Sequence, residues 1–306
     1  MKFTIFQGSL QGGRSNNEDR IAYCYSREAL LMVVADGMGG HHFGEIAAQI
    51  AAQTLTESFQ REAKPDIIDP FRFLQRGMSN AHYAILDYSF AHKLDDSPRT
   101  TCVACLIQDS IAYWAHTGDS RLFLMRGGKV AAQTRDHSRI RLLMEEGVIS
   151  EAQAATHPDR NKIYSCLGGD VAPEIDFSRK TPLERGDIIL MCSDGLWGVM
   201  PGEELAVVLK GANLMQAIPQ VIKDAEKRGG PKGDNVSAVA VCWEQSYQEG
   251  LGDSAISTQT MSPGEVTTKL EEFGRQPGYK AEMTEEEIEK AIGEIRSTIE
   301  KYNSKK

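Results

Sequence analysis

Four aspartates in this chain stand where an apolar run ends or begins. Asp36 follows LLMVVA and opens Asp36-Gly37-Met38-Gly39-Gly40, and Asp194 follows DIILMC within Ser193-Asp194-Gly195. Asp234, in Gly233-Asp234-Asn235, precedes VSAVAV, and Asp119, in Gly118-Asp119-Ser120-Arg121, separates IAYWAHT from LFLM. A carboxylate at a strand end projects from a sheet edge, and in an antiparallel sheet the end of one strand and the start of its neighbour share that edge. Distant residues can thereby converge. Clustered carboxylates repel, and burying them unpaired costs several kcal/mol; a divalent cation removes that cost. An all-oxygen ligand set favours Mg²⁺ or Mn²⁺ over zinc or copper, and the adjacent glycines let a backbone carbonyl approach an ion. One Asp-Gly pair alone is an ordinary turn signal. Four beside apolar runs point to metal chemistry.

The elements that must carry these residues are short apolar strands at 3–6, 21–25, 30–35, 102–107, 111–115, 122–125, 188–192 and 236–241, several bounded by Gly, Asp or Ser. Helical spacing appears at 45–59, where Ile46, Ala47, Ile50, Ala51, Leu55 and Phe59 form one stripe. Further helices are expected over 71–90, 203–209 and 214–227. Strands in hairpins with helices inserted in pairs imply an antiparallel sheet core covered by helices.

Past about residue 244 the composition turns to Ser, Thr, Gly and Glu with few large apolar residues, which reads as a linker over 245–282. A final amphipathic helix is expected over 283–303: Thr284 and Glu287 form a capping box, and Ile288, Ile292, Ile295 and Ile299 follow at helical spacing. It either packs on the preceding domain or docks a partner, and the former is the simpler reading because short isolated helices are marginal.

Bulk properties narrow the classes. The 306 residues are 41% hydrophobic and 25% charged, an ordinary globular balance. A net charge of −9 argues against a nucleic-acid partner. The first twenty residues do not read as a signal peptide, and no apolar run approaches the ~20 residues of a membrane helix, so a cytoplasmic, non-membrane protein is expected, monomeric by default. Six cysteines in this length are not a disulfide framework. Cys102 and Cys105 make a CxxC, but three apart on a strand they face opposite sides, so inert core thiols are expected.

Taken in order, the motifs resemble the PPM family, the type 2C metal-dependent protein phosphatases, in its compact bacterial form. Arg14-Ser-Asn-Asn-Glu18-Asp19 resembles the opening motif and Asp36-Gly-Met-Gly-Gly-His41-His-Phe-Gly44-Glu45 the metal-binding turn. Thr100-Thr101, Gly118-Asp-Ser-Arg121, Arg135-Asp-His-Ser138, Ser193-Asp-Gly195 and Gly233-Asp-Asn235 follow in the family's sequence. The likeness runs from about residue 8 to residue 243, giving a catalytic domain at 1–244. Each motif is weak alone; the ordered set is specific.

The resemblance implies an α+β fold, two packed antiparallel β-sheets flanked by helix pairs (an αββα sandwich), with metals at one end. By similarity Asp36 would bridge two Mn²⁺ or Mg²⁺ ions, one completed by the Gly37 carbonyl and the other held by Asp194 and Asp234. Asp119 would serve a third ion, shared with Asp194. Glu18 and Asp19 would orient water at the ions. Water bridging two cations is acidic enough to supply hydroxide for in-line attack on phosphorus. Arg14, a planar fork matched to phosphate oxygens, would clamp the substrate. Many family members place a histidine directly after the Asp-Gly pair; here Met38 stands there, and His41 is the nearest replacement as general acid, a metal-bound water being the alternative. Residues 135–169 correspond to the family's flap; His137 and His157 within it read as structural or surface groups, not ligands. Implied substrates are phosphoserine and phosphothreonine on proteins, a Ser/Thr kinase or its targets among them. Two rivals are a catalytically weak phosphoprotein-binding regulator and a hydrolase of small phosphoesters; the lack of a GxxxxGK[ST] loop weakens a nucleotidase.

Overall fold

Strands that are apolar on both faces are stable only when both faces are covered, and this requirement organises the molecule. A computed structural model describes residues 1–38, 43–154, 157–159 and 162–245, all within one compact unit. In chain order these form β1 (Phe3–Leu10), β2 (Asp19–Tyr25), β3 (Ala29–Asp36), α1 (Gly44–Glu62), α2 (Pro70–His92), β4 (Cys102–Gln108), β5 (Ile111–Thr117), β6 (Arg121–Arg126) and β7 (Lys129–Gln133). There follow α3 (Arg139–Glu145), α4 (Glu151–Ala154), β8 (Asp176–Phe177), β9 (Thr181–Pro182), β10 (Ile188–Cys192), α5 (Asp194–Trp197), α6 (Gly202–Leu209), α7 (Leu214–Gly229) and β11 (Val236–Trp243). The residues beyond 245, which include the linker and the helix expected over 283–303, lie outside the described residues.

The strands make two antiparallel sheets, one in the order β1-β11-β10-β6-β7, the other β2-β3-β4-β5-β8 with β9 also on β5. Between them lies a dry layer in which Leu30, Met32, Val34, Val103, Cys105 and Ile107 of one sheet meet Leu122, Leu124, Ile189, Met191, Val239 and Trp243 of the other. The outer face of the second sheet carries Leu31, Val33, Ala35 and Cys102 against α1 and α2. The outer face of the first carries Phe123, Leu190 and Ala240 against α5, α6 and α7. The order is therefore α/β/β/α, and LLMVVA is continuously apolar because alternate residues enter different layers. Cys102 and Cys105 do face opposite sides, and burial holds both thiols far above the ordinary thiol range.

Local signals set the helix ends. Asp69 caps α2 by accepting from the Arg72 amide at 3.1 Å, with Pro70 as first helical residue. Asn213 caps α7 by accepting from the Met215 amide. The short elements β7, β8, β9, α3, α4 and α5 add to the expected ones. The single-sheet picture of the shared edge also needs correcting: Asp194 and Asp234 flank the neighbouring strands β10 and β11, whereas Asp36 ends β3 in the other sheet. What unites them is that the chain crosses between sheets here, in the β1–β2 and β5–β6 connections.

Candidate active site

The backbone of Asp36 is tied down on both sides, which fixes where its carboxylate projects. The Thr101 amide donates to the Asp36 carbonyl at 2.9 Å, the Thr100 hydroxyl donates to the same carbonyl at 2.9 Å, and the Asp36 amide donates to Thr101 Oγ1 at 3.2 Å. Gly37 is enforced by close packing as well as by turning: a Cβ there would sit 2.3 Å from the Gly44 carbonyl oxygen and 2.8 Å from that of Glu18. At Asp194-Gly195 the same holds, with the Asn235 carbonyl oxygen 2.1 Å from a Cβ on Gly195. Both Asp-Gly pairs are thus places where two backbones touch.

The β1–β2 crossing is pinned by Asn235. Its side-chain amide donates to the Gln11 and Asn16 carbonyls at 2.7 and 2.9 Å, and its Oδ1 accepts from the Glu18 amide at 2.9 Å. Asp19 pairs in register with Asp36 across β2 and β3, and its Oδ2 accepts from the Ser193 hydroxyl at 2.7 Å. The β5–β6 crossing is held by Thr101 and Ser120, whose hydroxyls lie 2.7 Å apart. Trp197 donates through Nε1 to the Asp119 carbonyl at 2.9 Å; Arg121, in a two-bond pair with Asp136, stacks 3.5 Å above the Trp197 ring. Thr101, Arg121, Asp136, Ser193 and Asn235 stand within the sequence motifs, where their types alone announce no role; Trp197 lies outside them. Residue type would have flagged Asn235 as a turn amide, but nothing local announces its three partners.

Electrostatics show how crowded the edge is. Burial, then repulsion from Asp19, Asp194, Asp119 and Asp234, holds the Asp36 carboxyl well above the usual carboxylate range. Asp194 is raised in the same way, by burial and then by Asp119, Asp234 and Asp19. Burial pushes Asp119 up to about 7, with Asp136 adding to it. Asp19, only 4% exposed, is pushed to about 6 chiefly by burial. Glu18 is raised by burial and then by Glu45. Arg14 reaches the same edge, but its guanidinium is engaged by Asp234 at 2.5 Å, the contact that chiefly raises its pKa. The structure therefore brings Arg14, Glu18, Asp19, Asp36, Gly37, Asp119, Asp194 and Asp234 together. His41 lies outside the described residues.

This edge fits divalent cations. Its carboxylates are pressed together at a cost that Arg14, paired with Asp234 and also acting on Asp194 and Glu18, offsets only in part, and Asp19 Oδ1 is buried with no hydrogen-bond partner. Oxygen donors throughout match a hard ion such as Mg²⁺ or Mn²⁺.

Comparison with known proteins agrees with this geometry. The family model described as Protein phosphatase 2C matches residues 9–224. The chain is 31% identical over 243 residues, 77% of itself and 95% of the relative, to the protein phosphatase PhpP of Streptococcus pneumoniae. It resembles a solved serine/threonine phosphatase of S. agalactiae at 29% identity and TM-score 0.71, covering 79% of this chain and all of that one. It also resembles the catalytic domain of the phosphatase PstP, solved with two manganese ions, at 28% identity and TM-score 0.68 over 79% and 99% of the two chains.

Proposed function

The chain belongs to the protein phosphatase 2C family, and on that premise we propose that Asp36, the Gly37 carbonyl, Asp194 and Asp234 hold two Mn²⁺ or Mg²⁺ ions, with Asp119 serving a third. The reaction is metal-dependent hydrolysis of phosphoserine and phosphothreonine on proteins. The regulator and small-phosphoester alternatives find no support in these likenesses. The observation that carries the ion assignment is the convergence of Asp19, Asp36, Asp119 and Asp194, every one with a raised pKa.

When bound, such ions lower the pKa of water and neutralise developing charge on a phosphoryl group. The chain's own residues do the rest. Arg14, about half exposed, exchanges Asp234 for two phosphate oxygens, a trade its planar fork favours. Asp19, locked by Ser193, and Glu18 accept hydrogen bonds that orient water toward phosphorus. The leaving alkoxide takes its proton from His41 or from water. Thr100, Thr101, Asn235 and Trp197 hold the backbone so that none of these groups must reorganise during the step.

No helix among the described residues is long and apolar enough to cross a membrane. A monomer acting in the cytoplasm on phosphoproteins, a kinase among them, completes the proposal. Its domain boundaries are 1–244, 245–282 and 283–303. The test is turnover of a phosphothreonine peptide with Mn²⁺. Wild type turns over and Asp36→Asn loses on the order of a thousandfold or more; equal turnover by the variant, or better turnover of nucleotides than of the peptide, contradicts it.

A further inference from the structure

Away from the carboxylate edge, one nitrogen from each of His116 and His137 and a carboxylate oxygen of Asp176 lie within 4.8 Å of one another. His116, on β5, is the register partner of Asp176 on β8. The two imidazoles lie with centroids 4.8 Å apart and planes tilted by 32°, and the Tyr164 ring stacks on His137 with centroids 5.4 Å apart. His116 is 4% exposed and His137 1%, yet His116 Nδ1 and His137 Nε2 make no hydrogen bond. His137 Nε2 does approach Asp176 Oδ2, at 3.3 Å, without the alignment of a hydrogen bond. A buried ring nitrogen without a hydrogen bond is unfavourable, and a ligand accepted there would relieve it.

The tautomers point to what is missing. His116 Nε2 lies 2.6 Å from the Arg135 carbonyl, so it carries the proton and Nδ1 presents a bare lone pair. A backbone carbonyl on the far nitrogen is the arrangement that steadies a metal-ligating histidine. Burial also lowers the His116 pKa, with Arg135 opposing, and so favours the neutral, ligating form. Asp176, with its side chain 45% exposed, leaves a way in and room for water ligands.

We propose that His116, His137 and Asp176 form a second metal site, chemically distinct from the carboxylate edge, that takes a borderline divalent cation such as Zn²⁺. Two imidazoles and one carboxylate suit such an ion, whereas Mg²⁺ prefers oxygen alone. The site joins two structures that matter to activity. His137 precedes Ser138, which caps α3 at the start of the flap region. It also clasps Gly118, next to Asp119: its amide donates to the Gly118 carbonyl at 2.9 Å, and its Nδ1 accepts weakly from the Gly118 amide at 3.4 Å. Ligation through Nε2 moves the proton to Nδ1, ends that weak bond and sets two N–H groups against each other. Occupancy therefore presses on the turn that carries Asp119, and zinc lowers turnover.

The test is a Zn²⁺ titration of the chelator-treated full chain in excess Mg²⁺, which fills the oxygen-only edge. Wild type should bind one Mg²⁺-resistant Zn²⁺, with imidazole scattering in the zinc X-ray absorption spectrum. Asp176→Asn and His116→Gln should each weaken this binding at least about a hundredfold. The Asp176 variant, altered at a partly exposed carboxylate, should keep wild-type melting and Mn²⁺-dependent turnover. Absence of resistant Zn²⁺ in wild type, equal binding by Asp176→Asn, or a zinc shell without imidazole each overturns the proposal.

Discussion

Between the sheets, Leu30, Met32 and Val34 are sealed from water among Leu122, Leu124, Met191 and Val239. Where the same strands end, Asp19, Asp36, Asp119, Asp194 and Asp234 crowd together, their charges offset only in part by Arg14 and, at Asp119, by Arg121. The first region supplies the free energy of folding, on the order of 1.5–3 kcal/mol for each large apolar side chain buried. The second withdraws some of it. The difference teaches that the active edge is no local optimum: the apolar layers, and the hydrogen bonds of Thr100, Thr101, Ser193 and Asn235, force it into place ready for cations.

If that division is right, substitutions in the two regions have opposite signatures. Asp36→Asn, expected to lose turnover roughly a thousandfold, should stabilise the metal-free protein by about 1 kcal/mol in a urea melt, because one repelling charge is gone; destabilisation would break the comparison. Met32→Ala should lose about 2–5 kcal/mol of stability while turnover per folded molecule with Mn²⁺ stays near wild type.

The pH dependence sharpens the contrast. A carboxyl whose folded pKa is raised binds protons in the folded chain that the unfolded chain has already lost, so stability falls as pH rises between the two values. With Asp19 at about 6 and Asp119 at about 7, metal-free protein should lose stability from about pH 4 to about pH 7, by on the order of several kcal/mol. Saturating Mn²⁺ should remove the decline, as followed by thermal melts. The smallest effect belongs to Trp197→Phe. It deletes the bond to the Asp119 carbonyl, worth about 1 kcal/mol, and should raise the Mn²⁺ concentration for half-maximal turnover roughly fivefold.

Much of this was legible from pattern alone. Runs such as LLMVVA and IILMC are too apolar to be anything but strands covered on both faces, and the aspartates at their ends read directly as edge groups. Strand β7 escaped because Lys129 to Gln133 alternates exposed with half-buried residues and contains two alanines. Strands β8 and β9 have two residues each, and α5 is one turn; none has a period to detect. The partition of the edge between two sheets was hidden because strand ends announce position, not sheet membership. The meeting of His137 with His116 and Asp176 depends on β5–β8 register, which no spacing in the sequence encodes.

The central claim is that raised, mutually repelling carboxylates are what the cations neutralise, and proton release on metal binding measures it most directly. Titrating Mn²⁺ into the metal-free protein by calorimetry, in buffers of different ionisation enthalpy, should show more protons released near pH 6 than near pH 8, with the release near pH 6 reduced in Asp119→Asn. Binding without proton release at the lower pH, or release unchanged in the variant, would contradict it.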